Sequence, residues 1–468
     1  MGAEVERLLE SFMVSFALLS APEAASPQTP LATREQRFFE WTRMPHSKEV
    51  YRARREKMLT QLRRSGGGVH LTPSRHGVSE GFTFRQLDDF LYLTGLELPD
   101  SMLVLDADAG SVVLFTPPRD SRYESEARPN DFPGRLLETD PDLRETSGIA
   151  DVRAFSELSA AVAGWVSKGK RLRLNFGRPG SIQSVESDFI ARWTAPEALA
   201  FHLRREYPDG RVDNAYEDVA RLRMVHGPEE IDAMRRVCAL TADAIRNTAA
   251  FVRDGIDERT LEAELEAEFK RGGSQRLAFA SIIKSGPNSL WPWRILAANY
   301  DRRNRVLREG ELVIFDVGTE LDYYVSDVGR TFPVSGRFTA EQKERLEMVT
   351  AVSDAVLAAI RPGVTFADLK QVALANIPEK ERAYMQAGGF FGHHIGLSSG
   401  DPALPEAPLE AGMIFTVEPW YYNHEEELAV FIEDVVLVTA DGHENLTASL
   451  PRTAEALELV TGKQAGNR

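Results

Sequence analysis

The chain has 468 residues, which allows two or three domains, and its 43% hydrophobic and 27% charged content is that of an ordinary globular protein. A net charge of -16 argues against a nucleic-acid partner gripped through its phosphates, which needs basic surface. The one cysteine, Cys238, excludes an internal disulfide and a cysteine-built zinc site, and no stretch is long and apolar enough to span a bilayer, so no membrane partner is expected.

Phe12 to Leu19 is a short apolar run of the kind found inside signal peptides. The segment before it carries Glu4, Glu6 and Glu10 against Arg7 and lacks the positive start such peptides use. The expected location is cytoplasmic, with export as the alternative. Residues 20–35, rich in Ala, Pro, Ser and Thr, complete an N-terminal extension or linker over residues 1–35. A first domain is expected over 36–216, mixing helices and strands. Val50 to Leu62 reads as a helix, and Ser101 to Leu105 and Ser111 to Thr116 read as paired strands. A second domain is expected over 217–468. Pro228-Glu229-Glu230 opens a long amphipathic helix with Ile231, Met234, Val237, Cys238 and Thr241 on one side. Further helices are expected from Glu258, over Glu341 to Ile360, and over Phe366 to Ala375. The chain is β-rich after Gly310 and again over residues 411–439.

The chemistry sits in two hairpin-like stretches. Residues 311–333, ELVIFDVGTELDYYVSDVGRTFP, place a polar middle between apolar runs. A turn centred on Leu321 and Asp322 would set Asp316 opposite Asp327. Residues 413–439, MIFTVEPWYYNHEEELAVFIEDVVLVT, repeat the pattern, and a turn centred on Glu425 and Glu426 would set Glu418 opposite Glu433. Cross-strand partners share a face. Like charges within apolar strands are costly unless a cation neutralises them, and a carboxylate-rich set suits hard divalent ions. His393 lies between the hairpins as a nitrogen ligand.

The motifs Asp316-Val-Gly, Asp327-Val-Gly-Arg-Thr-Phe-Pro, His393-x-Ile-Gly-Leu, Thr416-Val-Glu418-Pro and Ile432-Glu433-Asp434 resemble the metal signature of the pita-bread metallopeptidases. The run from Phe82 through Arg85, Asp89 and Tyr92 to Gly95 resembles the lead domain of aminopeptidase P, which favours the aminopeptidase P and prolidase branch. The likeness covers about residues 45 to 455. It implies an α/β (α+β) two-domain chain, its second domain a curved, mostly antiparallel sheet backed by helices. It also implies two divalent metal ions, Mn²⁺ first and Co²⁺ or Zn²⁺ as alternatives. By resemblance Asp327 and Glu433 bridge the ions, Asp316 binds one, and His393 with Glu418 binds the other. A metal-bridging hydroxide would attack the scissile bond of an N-terminal Xaa-Pro peptide, and Glu418 would carry its proton to the leaving amine. Family members are commonly dimers or larger, so a homodimer or higher homo-oligomer is expected.

The sequence departs from that pattern around the ligands. Gly400 stands where the peptidases carry a second histidine, and Leu296-Ala297-Ala298 is the nearest match to another histidine motif. Phe431 replaces an arginine and Trp420 a glycine. Trp420, Phe431 and His394 are the candidate substrate contacts, with Trp291 and Trp293 as further pocket aromatics. Alternation along a short strand would turn His394 to the opposite face from His393. Gly396-Leu-Ser398-Ser-Gly400 fits a serine-hydrolase elbow, but the prolines at 402 and 405 oppose the helix that motif requires. The rewritten surroundings keep two alternatives open: cleavage of a non-peptide C–N bond on the same fold, and a catalytically weak peptide-binding relative.

Overall fold

The structure, a computed structural model, describes residues 44–77, 84–117, 138–139, 141–178, 194–290, 304–385, 390 and 392–463. The N-terminal extension with its signal-like run, Trp291, Trp293 and residues 296–298 lie outside them. Among the described residues, no helix is long and apolar enough to cross a membrane.

The first half is built on one mixed sheet of six strands in the order β4-β3-β2-β1-β5-β6. These are β1 (Val69–Pro73), β2 (Met102–Asp106), β3 (Ser111–Phe115), β4 (Asp151–Arg153), β5 (Leu172–Leu174) and β6 (Val212–Asn214). The β1–β2 and β2–β3 pairs are antiparallel, and the outer pairs are parallel. Alternation makes both faces apolar. Leu103, Leu105 and Leu114 face helices α1 (Lys48–Arg64) and α2 (Asp88–Thr94), whose Met58, Leu62 and Phe90 share their cluster. Between the sheet strands run α3 (Pro141–Ser147), α4 (Leu158–Ser167) and α5 (Ala195–Glu206), and α6 (Tyr216–Arg223) follows β6. Val104, Val113 and Leu172 face the other way, toward Val162 of α4 and Leu203 of α5.

The second half starts with α7 (Pro228–Ala249) and α8 (Glu258–Arg271). Proline in the first turn and the Glu230 carboxylate on the Gly227 N–H define the start of α7. Met234, Val237, Cys238 and Thr241 are buried on its inner side. Strands β7 (Arg276–Leu277), β8 (Ile282–Ser285), β9 (Leu312–Val317), β10 (Thr319–Leu321), β11 (Tyr324–Val325) and β12 (Val328–Pro333) form the first antiparallel set. Helices α9 (Ala340–Ala359) and α10 (Phe366–Asn376) follow. Then come β13 (Ile414–Val417), β14 (Trp420–Asn423), β15 (Leu428–Phe431), β16 (Asp434–Val438), β17 (His443–Asn445) and α11 (Ala454–Val460). An isolated bridge between Gly329 and Glu433 joins the two hairpins. Phe315, Val317, Val417, Val430 and Ile432 point into the main core with α7 and α9 residues, which sends their neighbours Asp316, Glu418 and Glu433 to the other face.

The first hairpin differs from expectation by one residue at the turn. Asp322 and Tyr323, both at positive φ (51° and 70°), form its tip. Leu321 pairs with Tyr324, and Asp316 therefore faces Gly329 rather than Asp327. Asp327 lies two residues along, a diagonal neighbour of Asp316 across the pair. The second hairpin has the expected register. Val417 pairs with Asp434 and Trp420 with Phe431, which sets Glu418 opposite Glu433 between them.

The halves are held by buried ion pairs. Arg54 of α1 lies 3.3 Å from Glu230 of α7. Arg223 contacts Asp88, Asp89 and Asp401 at 3.4, 2.8 and 2.6 Å.

Candidate active site

The two bridged hairpins and the 393–397 segment bring Asp316, Asp327, His393, Glu418 and Glu433 to one place. Donor atoms of Asp327, His393 and Glu433 lie within 4.8 Å of one another. His393 Nε2 is 3.5 Å from Asp327 Oδ2 and 3.4 Å from Glu418 Oε1. Asp316 feels the charges of Asp327, Glu418 and His393.

Burial and mutual repulsion dominate the electrostatics. Burial first, then the Asp327 and Glu418 charges, pushes Asp316 and Glu433 well above the carboxylate range. Glu418 is pushed by burial up to about 7. Burial disfavours the charged His393 imidazole, but Asp327 and Glu418 outweigh it and hold the ring at about 9. Such a set is strained as bare protein and relaxed by added positive charge. Glu433 Oε2 is buried with no hydrogen-bond partner among the described residues. Hard oxygen donors with one imidazole fit divalent cations of the Mn²⁺ type, and the residues present match that need.

Surrounding hydrogen bonds fix the donors. His393 Nδ1–H donates to the His394 carbonyl at 3.3 Å, leaving Nε2 for the cluster. Thr416 donates to Glu418 Oε1 at 2.8 Å and accepts from the His393 N–H. Arg330, fully buried, donates to the carbonyls of Gly329 and Glu433 and to Asp434 Oδ1, at 2.7, 2.6 and 2.7 Å. It thereby clamps the bridge between the hairpins. The motifs that contain Arg330 and Asp434 do not by themselves disclose this part. The available signal was an arginine inside an otherwise apolar strand.

Residues 232–440 match the family model described as metallopeptidase family M24, and residues 51–173 match that of the aminopeptidase P N-terminal domain. Xaa-Pro aminopeptidase 3 of Mus musculus is 28% identical over 459 residues, covering 89% of this chain and 86% of that protein. Xaa-Pro aminopeptidase of Escherichia coli K12 is also 28% identical, over 457 residues, with 89% and 99% covered. The chain thus carries a metallopeptidase family M24 domain behind an aminopeptidase P N-terminal domain. Its fold is that of aminopeptidase P: the E. coli enzyme with the inhibitor Pro-Leu superposes with a TM-score of 0.70 at 25% identity, covering 89% of this chain and 98% of that one.

Within this M24 site the candidate substrate contacts fall in different places. His394 turns away from the cluster. Its ring stacks on Phe366 at 5.4 Å, and burial, with His226 and His393 nearby, drops its pKa to about 3. It serves as core, in keeping with strand alternation. Trp420 and Phe431 stack at 4.2 Å on the carboxylate face. Gly400 lies in the 398–401 turn, where the Ser398 hydroxyl and N–H both bond Asp401 Oδ1. No helix follows Ser398, so the elbow reading is excluded.

Proposed function

We propose that this M24 enzyme is a dinuclear metal hydrolase that releases the N-terminal residue of peptides whose second residue is proline. The carrying observation is the cluster of four mutually repelling carboxylates on one sheet face, with the half-buried His393 beside them. The shared architecture with Xaa-Pro aminopeptidases over nearly the whole chain supports the substrate class.

Asp327 and Glu433 would be shared by two ions, with Asp316 on one side and His393 with Glu418 on the other. When bound, such ions lower the pKa of coordinated water and offset charge developing on the carbonyl oxygen. The oxygen-rich donor set favours Mn²⁺, with Co²⁺ or Zn²⁺ as alternatives. Glu418 is the proton carrier: Thr416 holds its Oε1, which leaves the second oxygen to pass a proton to the leaving amine. A homo-oligomeric assembly belongs to this reading through family likeness alone.

A second reading, cleavage of a non-peptide C–N bond, draws on the uncharged Trp420–Phe431 stack standing where proline-specific relatives carry glycine and arginine. Metal stoichiometry tests the dinuclear site. Elemental analysis after Mn²⁺ loading is expected to give two ions per chain, and one or none in Asp327→Asn. A single ion in the wild type, unchanged by the substitution, contradicts the assignment.

A further inference from the structure

The face that carries the metal-site donors also carries a small apolar cluster of its own. The register of the second hairpin is constant from Ile414–Leu437 through Trp420–Phe431 to Asn423–Leu428. Glu418 and Trp420 therefore follow one another on that face, with Glu433 and Phe431 opposite. Ile314 lies two residues from Asp316 on the same strand, and Ile282 is the direct cross-strand partner of Asp316. Ile282, Ile314, Trp420 and Phe431 belong to one cluster, separate from the core beneath the helices.

Within it the indole is fixed and incompletely bonded. Trp420 stacks on Phe431 at 4.2 Å and 26°. Phe431 is fully buried and rests against Gly329, where an added Cβ would come 2.1 Å from the ring. Trp420 itself is 7% exposed, and its Nε1 is buried with no hydrogen-bond partner among the described residues. A buried donor without an acceptor is unfavourable, and buried tryptophans normally find a partner for this group.

We infer that Trp420 is the floor of the pocket for the leaving residue, the one that becomes the new N terminus, and that its indole N–H donates to a carbonyl oxygen of the leaving segment. This rests on the peptidase reading. Glu418 hands its proton to the leaving nitrogen, so the leaving residue lies on the Glu418 side of the bond, and Trp420 is the next side chain along that face. A proline ring, compact and apolar, suits an indole surface. A charged side chain there would lose its hydration with no partner from this stack. Phe431 holds the indole from below and does not touch substrate.

The test is calorimetric binding of Pro-Leu and Ala-Leu, both shaped like leaving products, to the Mn²⁺-loaded protein, its Trp420→Phe variant and its Trp420→Ala variant. It is paired with kcat and KM on Xaa-Pro-Yaa and Xaa-Ala-Yaa peptides. Trp420→Phe keeps a ring and loses the donor, so Pro-Leu binding should weaken about 3- to 10-fold, with KM rising more than kcat falls. Trp420→Ala should lose about 10-fold or more and with it the preference for proline over alanine. If Trp420→Ala fails to load metal, Trp420→Phe decides alone. Metal-loaded variants that keep the wild-type Pro-Leu affinity and leaving-residue preference overturn the inference while leaving the peptidase reading intact. A wild-type enzyme that cleaves no peptide overturns that reading, and the inference with it.

Discussion

Arg330 offers five N–H donors to a region that must stay rigid. Its guanidinium meets Pro451, Gly329 and Glu433 carbonyls and the Asp434 carboxylate. Asp434 is further held by Arg452 at 2.9 Å and by Thr447. Replacing Arg330 with Met leaves those acceptors short of donors, so unfolding in urea should show a loss of about 3–5 kcal/mol. Mn²⁺ affinity should fall about 10- to 100-fold, as for other partners that hold metal ligands in place. Unchanged affinity in a stably folded variant would mean that the clamp does not position Glu433. Glu418→Gln tests the proton carrier. Its kcat should fall by about 10²–10⁴ while residual metal binding persists, and a near-normal kcat at saturating metal would remove Glu418 from that part. The donor residues stood out in the sequence because acids inside β-branched runs are costly to bury unless a cation neutralises them. Arg330 and Asp434 did not, because their pairing spans 104 residues and only the fold closes it.

At the level of elements, the joint between the hairpins depends on Gly329. It faces Asp316 on one side, is bridged to Glu433 on the other, and has the Phe431 ring above it. A methyl group there has no room, since ring atoms would lie 2.1 to 2.8 Å from its carbon. Gly329→Ala should therefore cost about 1–3 kcal/mol in thermal or urea unfolding, and adding Phe431→Leu should recover part of the loss. Strictly additive losses in the double variant would mean that the two side chains do not compete for one space. The register of the second hairpin could be read from its symmetric apolar runs, and Asn423, which accepts from the Glu425 and Glu426 N–H groups, shapes the loop. The first could not be set to the residue. Its tip uses Asp322 and Tyr323 at positive φ, where asparagine and glycine would have marked the turn. The slip moved the turn by one position, and Asp316 and Asp327 still share a face because a diagonal pair does so as well.

For the whole molecule, the two halves meet through buried charges, and this gives acid sensitivity. Burial alone would raise the Glu230 carboxyl, but Arg54 and His226 outweigh it and bring the group from 4.5 down to about 2. A depressed carboxyl stabilises the folded state fully above its unfolded value, and the gain disappears as pH falls from about 4.5 toward 2. The shift corresponds to about 3 kcal/mol. Urea unfolding of Glu230→Gln should show that deficit at pH 7 and a shrinking one below pH 4.5. A deficit independent of pH would assign the effect to packing. The overall architecture was readable from the motif order, because metal-site spacing and lead-domain residues together restrict the chain to few folds. The placement of Trp420 over Phe431 was not, since it follows from a register that only paired strands define.

The central claim is metal-dependent cleavage of Xaa-Pro bonds by this cluster. It is tested by incubating the protein with a panel of Xaa-Pro dipeptides and longer Xaa-Pro peptides, as loaded with Mn²⁺, after chelation, after Mn²⁺ is restored, and as Asp327→Asn. Release of the N-terminal residue that stops on chelation, returns with Mn²⁺ and is lost in Asp327→Asn is the predicted result. No turnover of any peptide by folded, metal-loaded protein would contradict it and turn attention to non-peptide C–N bonds.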